Sequence, residues 1–194
     1  MANAGNLLVS NAKIWVANYG ATVPTKTLSA LNAAPSGFTS PGYTQGGVTW
    51  TVENGFTELR ADQLKIAAGA ANTDQTITVE MNLAEVTLPN LALALADGTV
   101  DATVDTGNIS VYTPGLPTDF QVAYKTLILD GDAPSGLQGV NLRRRVILRR
   151  CLPTSGIELA YGREDQQTFS VTWTVYAIDD TTPVWEIHEA NPEE

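Results

Sequence analysis

The feature that most constrains this chain is the strict alternation of apolar and polar residues, clearest in QTFSVTWTVYAI near its C-terminus. Successive side chains on a strand point to opposite faces. Phe169, Val171, Trp173, Val175 and Ala177 therefore share one face, and Ser170, Thr172, Thr174 and Tyr176 share the other. DQTITVEMNL repeats the pattern, with Ile77, Val79, Met81 and Leu83 set against Thr76, Thr78, Glu80 and Asn82. Sheets built from such segments have one dry face that must be buried against another layer, and one polar face. GGVTWTVE, FTELRADQLKI, FQVAYKTLIL, VNLRRRVILRRC and GIELAYG are further strand signals, rich in Val, Ile, Thr and aromatics.

One helix interrupts the strands. Thr87 can cap its N-terminus, Pro89 suits its first turn, and Asp97-Gly98 ends it, which predicts a helix over 88–97. Its interior NLALALA is apolar nearly all round, so it must pack against a sheet or between a sheet and a neighbour. Residues 20–47 and 97–119 collect Gly, Pro, Ser, Thr and Asn and read as long loops or arms, the second with a short strand NISVY inside it. A single domain over 1–194 accommodates all of this. The fold class expected is mainly β, a β-sandwich or barrel with one flanking α-helix and long loop arms.

Only 16% of the residues are charged, below the roughly 25% of an average soluble domain, so something other than charge covers the surface. Copies of the same chain would serve. The net charge of −10 argues against general capture of nucleic acid, which requires clustered Lys and Arg. Charge is also segregated. Between Lys65 and Lys125 lie no basic residues but Asp74, Glu80, Glu85, Asp97, Asp101, Asp105 and Asp119; Arg143, Arg144, Arg145, Arg149 and Arg150 then crowd together. That run reads in three ways: a β-ribbon for DNA, a solvated edge strand that discourages aggregation, or a set of contacts from one copy to the acidic middle of the next. The third fits the segregation best.

Signals for chemistry are weak. Cys151 is the only cysteine and His188 the only histidine, so neither an internal disulfide nor a Cys/His metal cluster can form. DGDAPSG from Asp130 opens like a calcium loop, but Pro134 and Ser135 stand where a ligand and the turn glycine belong, and a hairpin turn is the better reading. His188 has no Gly-flanked serine to serve and reads as a partly buried histidine of a terminal strand. The 21 acidic residues offer many carboxylate pairs, but their separation is not a property of sequence. No enzyme activity, metal or cofactor is expected. Asn11 and Lys13 interrupt LLVSNAKIWVA, and no run approaches the ~20 apolar residues of a membrane span, so neither a cleaved signal nor membrane insertion is expected.

The stretch VTWTVENGFTELRADQLKIAAGAANTDQTITVEMNLAEVTLPNLALALADG carries an ordered set of features. A strand opens after GGVT, a charged segment follows, then TDQTITVEMN, then the helix EVTLPNLALAL; later GIELAYGREDQQTFSVTWTVYA closes as a hairpin. In this order, over roughly 47–97 and 140–178, the chain resembles the major tail tube proteins of long-tailed (siphovirus) bacteriophages, actinobacteriophages in particular. The resemblance implies a β-sandwich or barrel with a flanking helix. It also implies rings, usually of six subunits, that stack into a hollow tube, with the tape measure protein and tail initiation and terminator proteins as partners. DNA would pass through the lumen without specific binding, and the protein would reside in the virion tail after synthesis in the bacterial host cytoplasm. The lumen-lining residues implied are Thr76, Thr78, Glu80 and Asn82, with Ser170, Thr172 and Thr174; the arginines from Arg143 to Arg150 would serve subunit contacts. For Glu80 the alternative is a contact with those arginines. The rival function is a secreted or virion-surface carbohydrate-binding β-sandwich using the four tryptophans as stacking platforms, although Trp173 alternates with core residues; a β-sandwich hydrolase is a third class.

Overall fold

The alternating segments form strands whose dry faces meet. The computed structural model describes residues 12–60, 62, 65–104, 109–115, 122–133, 143–157 and 166–190. In chain order these carry β1 (Lys13–Asn18), α1 (Leu28–Asn32), β2 (Thr44–Leu59), β3 (Gly69–Leu83), α2 (Leu88–Leu95), β4 (Thr99–Val104) and β5 (Ile109–Thr113). β6 (Lys125–Asp132), β7 (Arg143–Pro153), β8 (Phe169–Val175) and β9 (Trp185–Glu189) follow. In β3, Ile77, Val79, Met81 and Leu83 are buried while Glu80 and Asn82 are exposed. β8 buries Phe169, Val171, Trp173 and Val175 by the same alternation.

The main sheet is antiparallel in the order β1-β6-β7-β8-β3-β2, with β9 also on β7. Strand β7 belongs to two layers. Its residues 144–148 pair with β9, and its residues 151–153 pair with β8. One layer is thus β1-β6-β7-β9, and β8-β3-β2 turns away from it. Ile14, Leu127, Val146 and Leu148 of the first layer share a core with Val79, Met81, Val171 and Trp173 of the second. On the far side Trp50 of β2 meets Trp185 of β9 edge to face, 5.2 Å between ring centroids. The result is a mainly β sandwich drawn toward a barrel. Trp173 has no exposed surface, and its truncation to Ala would cost about 3–5 kcal/mol.

Helix α2 lies against this core through Leu91, Leu93 and the buried Ala94. The Thr87 hydroxyl accepts from the Asn90 amide as the sequence predicts, and Pro89 sits in the first turn. The helix stops two residues short of the predicted end because Ala96 takes the left-handed conformation, φ 50°, ahead of Gly98. Asn90 is buried, and its amide group donates to the Pro41 and Glu85 carbonyls at 2.8 Å each. The helix start is thereby tied to the chain entering β2.

Three details differ from the sequence reading. GGVTWTVE and FTEL form one strand of 16 residues, β2, with Asn54-Gly55 inside it rather than at a turn. A register shift between Gly55 and Phe56 takes up the irregularity, and the Asp74 carboxylate lies over Gly55 where a Cβ would stand. The stretch 20–47 contains a second helix, the single turn α1, capped by Thr27. The stretch 97–119 contains the hairpin β4–β5, in which the expected short strand appears as β5. Residues 158–162 of GIELAYG and residues 134–136 of DGDAPSG lie outside the described residues.

Candidate functional site

The polar face expected from alternation is continuous across three strands. Cross-strand register sets Thr49 of β2 beside Glu80 of β3 and Thr172 of β8. The next row is Thr51, Thr78 and Thr174, and the row on the other side is Gln45, Asn82 and Ser170. Six of the seven residues read from the sequence are thus brought together. Thr76 continues the same face of β3 beyond the end of β8 and pairs with Glu53 instead.

Short polar contacts knit these rows. The Ser170 hydroxyl donates to Asn82 Oδ1 at 2.7 Å, and the Thr154 and Thr174 hydroxyls lie 3.0 Å apart. The Ser155 hydroxyl accepts from the Thr172 amide at 2.9 Å. Thr49, Thr51, Thr154 and Ser155 were missed in the sequence reading. The first two carried a readable signal, since they alternate with Val48, Trp50 and Val52 in GGVTWTVE. Among the residues paired across β3 and β8, Glu80 is the one ionisable group. Toward the end of the hairpin Glu53 adds a second carboxylate to the same face, beside Thr76. Among the described residues no group of three or more His, Cys, Asp or Glu could hold a metal ion.

The arginine run sits on β7 with its principal partners inside the same chain. Arg145 is wholly buried. Its Nε donates to Asp130 Oδ1 at 2.6 Å and its Nη2 to Asp130 Oδ2 at 2.8 Å, a two-pronged charge-assisted pair. The same guanidinium caps the end of α1, donating to the carbonyls of Ala30, Leu31 and Ala33, and Trp15 Nε1 adds a bond to Asp130 Oδ2 at 2.9 Å. Arg145 therefore has no surface to present to a neighbour, and the expectation of a subunit contact does not extend to it. Sequence hid this because the covering layer comes from a distant stretch: α1 and Phe38 lie across the outer face of β1, β6 and β7, where Phe38 packs with Ile128 and Ile147.

Arg144 pairs with Glu189 at 2.7 Å, and Arg149 pairs with Glu186. Glu186 also receives Lys26 at 2.9 Å and His188 at 3.1 Å. Bonds from Lys26 and then His188 hold its carboxyl down to about 2. Arg150 stacks 4.1 Å over the Tyr124 ring and donates to the Ala177 carbonyl. Arg143 stands opposite Asp132 in register. His188 is mostly buried on β9, as read.

The part of the chain that projects is the far half of the β2–β3 hairpin. From Glu53 to Leu59 and from Gly69 to Thr76 nearly every residue is exposed, although the strands stay paired to Leu59 and Gly69. Phe56, Leu59 and Ile66 present apolar side chains there, at 65%, 54% and 82% exposure. The stretch 20–43, by contrast, lies on the body, where Thr39 bridges to Val16.

The four tryptophans are occupied as packing groups. Trp173 is buried, Trp50 and Trp185 pack on each other, and Trp15 is bonded to Asp130. Trp15 alone of the four borders the cleft between β1 and the start of β2, with its indole N–H taken by Asp130. No helix among the described residues is long and apolar enough to cross a membrane. A family model described as phage tail tube protein matches residues 1–193 of the chain. No curated protein matches it.

Proposed function

The chain belongs to the phage tail tube protein family, and from that premise we propose that it builds stacked rings of six subunits whose polar sheet faces line a conduit for DNA. Family membership makes it a structural component of the virion that associates with itself into a tube. The observation that carries the finer reading is the continuous hydroxyl face of β2, β3 and β8, backed by a dry core. A conduit for a polyanion must neither bind phosphates nor offer them bare apolar surface. Threonine and serine hydroxyls meet both demands, and a carboxylate at Glu80, repeated around a ring, adds repulsion. Screening confines that repulsion to about 10 Å at 0.1 M salt, so acids on this face count and acids elsewhere do not.

The alternative role for Glu80, pairing with arginines of a neighbour, is weakened by the partners those arginines already have at Asp130, Glu186 and Glu189. Arg143, Arg144, Arg149 and Arg150 keep some exposed surface for lateral contacts between subunits. The tape measure protein would occupy the lumen before DNA, and initiation and terminator proteins would meet the two ends. Long-tailed siphoviruses are the source this reading favours, with synthesis in the host cytoplasm.

Negative-stain electron microscopy of the concentrated purified protein, with and without tail initiation components, tests the proposal. Hollow tubes are expected. Monomers alone under both conditions would refute it.

A further inference from the structure

Lys125, the first residue of β6, stands where two cavities meet. One, of about 420 Å³, is lined also by Asn18, Glu85, Pro89 and Leu93. The other, of about 540 Å³, shares Pro89, Leu93 and Lys125 with it. Burial draws the Lys125 ammonium below the ordinary lysine range. In a chain of net charge −10 a half-buried cation would be expected to hold a carboxylate. Among the described residues it holds none, and Nζ donates instead to Asn18 Oδ1 at 2.7 Å.

The sheet sets this contact. Asn18 and Lys125 form the last rung of the β1–β6 ladder, and directly opposed residues project on the same face. An amine is thereby held against a carboxamide, which turns a slow encounter between two groups into a step within one molecule. Desolvation raises the fraction of lysine present as the nucleophilic free amine. Glu85 lines the same cavity, its Oε1 fixed by the Tyr43 amide at 3.1 Å.

We propose that Lys125 and Asn18 join in an isopeptide bond that fastens β1 to β6. The neutral Nζ attacks Asn18 Cγ and forms a new C–N bond. The bond from Cγ to Nδ2 then breaks, and the amide nitrogen leaves as ammonia with the proton that Nζ gives up. Glu85 carries that proton from one nitrogen to the other. One amide replaces another, and nothing is oxidised or reduced. β1 ends its layer of the sheet with β6 as its neighbour, so the link secures an edge strand. It also closes a loop between positions 107 residues apart, which restricts the unfolded chain. The bond does not depend on the tube reading.

Mass spectrometry of the full-length protein, denatured after purification and again after assembly, tests the proposal. The expected mass is that of the sequence less one ammonia, and proteolysis should release a branched peptide joining Asn18 to Lys125. Lys125→Arg keeps the positive charge and a donor for Asn18 but cannot form the bond, and should stay at its full mass. Glu85→Gln keeps an oxygen for the Tyr43 amide and should slow bond formation by about a hundredfold or more. Asn54-Gly55 can also shed ammonia by closing on its own backbone, but that loss would persist in Lys125→Arg and give no branched peptide. Wild-type protein at its full sequence mass in both states would overturn the proposal. So would an ammonia loss without the branched peptide, which is read on the wild type and so stands whether or not a variant folds.

Discussion

Arg145→Met removes the one buried cation among the described residues and tests the account of how residues 20–43 are held. The substitution keeps much of the side-chain volume but strands the Asp130 carboxylate, whose side chain is only 10% exposed. It also withdraws the donors from the carbonyls of Ala30, Leu31 and Ala33 at the end of α1. Breaking a buried pair by removing one partner costs about 3–5 kcal/mol. For a chain of this size each kcal/mol lowers the melting temperature by roughly 2–4 °C, so the expected fall is on the order of 6–20 °C. Calorimetry on the unassembled protein measures it, and limited proteolysis should show new cutting between Lys26 and Ala33. The double variant Arg145→Met, Asp130→Leu should recover part of the loss, since no buried charge remains. A single variant melting within about 2 °C of wild type would refute the reasoning, as would a double variant whose loss is the sum of the two single losses.

On the lumen reading, Glu80→Lys should assemble into tubes of normal appearance while DNA ejection slows, most at low salt where screening is weakest; wild-type ejection rates at every salt concentration would contradict it. The Glu186 carboxyl is held at about 2 against an ordinary 4.5, so its contribution to stability is present above pH 4.5 and disappears as pH falls toward 2. The difference in melting temperature between wild type and Glu186→Gln should accordingly be largest near pH 6, shrink below about pH 4.5 and close only as pH falls through about 2; a constant difference across that range would exclude the linkage. Burial pushes the Cys151 thiol up to about 12, and a disulfide-exchange reagent at pH 8 should leave it unlabelled until the protein is denatured; rapid labelling of native protein would mean that the core around β7 opens.

What was legible in the sequence was what depends on local period. β3 and β8 declared their faces by strict alternation, and α2 was marked by Thr87 and Pro89. Asn54-Gly55 carries a local turn signal, but pairing on both sides of it keeps it within β2, and the register shift beside it skips Thr73 of β3. α1 is too short for any helical period to show. The arginine run misled for a different reason: RRRVILRR has no clean alternation because β7 is covered on both faces, on one side by the core and on the other by α1 and Phe38. The carboxylates that receive Arg144 and Arg149 come from WEIHE, 45 and 37 residues later, and only the β7–β9 pairing brings them near.

The length of β3 has a mechanical consequence. Its outer half stiffens the projecting end of the β2–β3 hairpin, and its inner half, Thr78 to Leu83, is laced to β8 from Phe169 to Thr174. Hydrogen bonds in such a ladder lie perpendicular to the strands. A pull on that end along the strand direction therefore shears the whole ladder at once instead of peeling it bond by bond, and the force passes through β8 into β7, the strand shared by both layers. Tension applied there is thus carried by the sheet of the subunit body, through paired strands from the hairpin to β7.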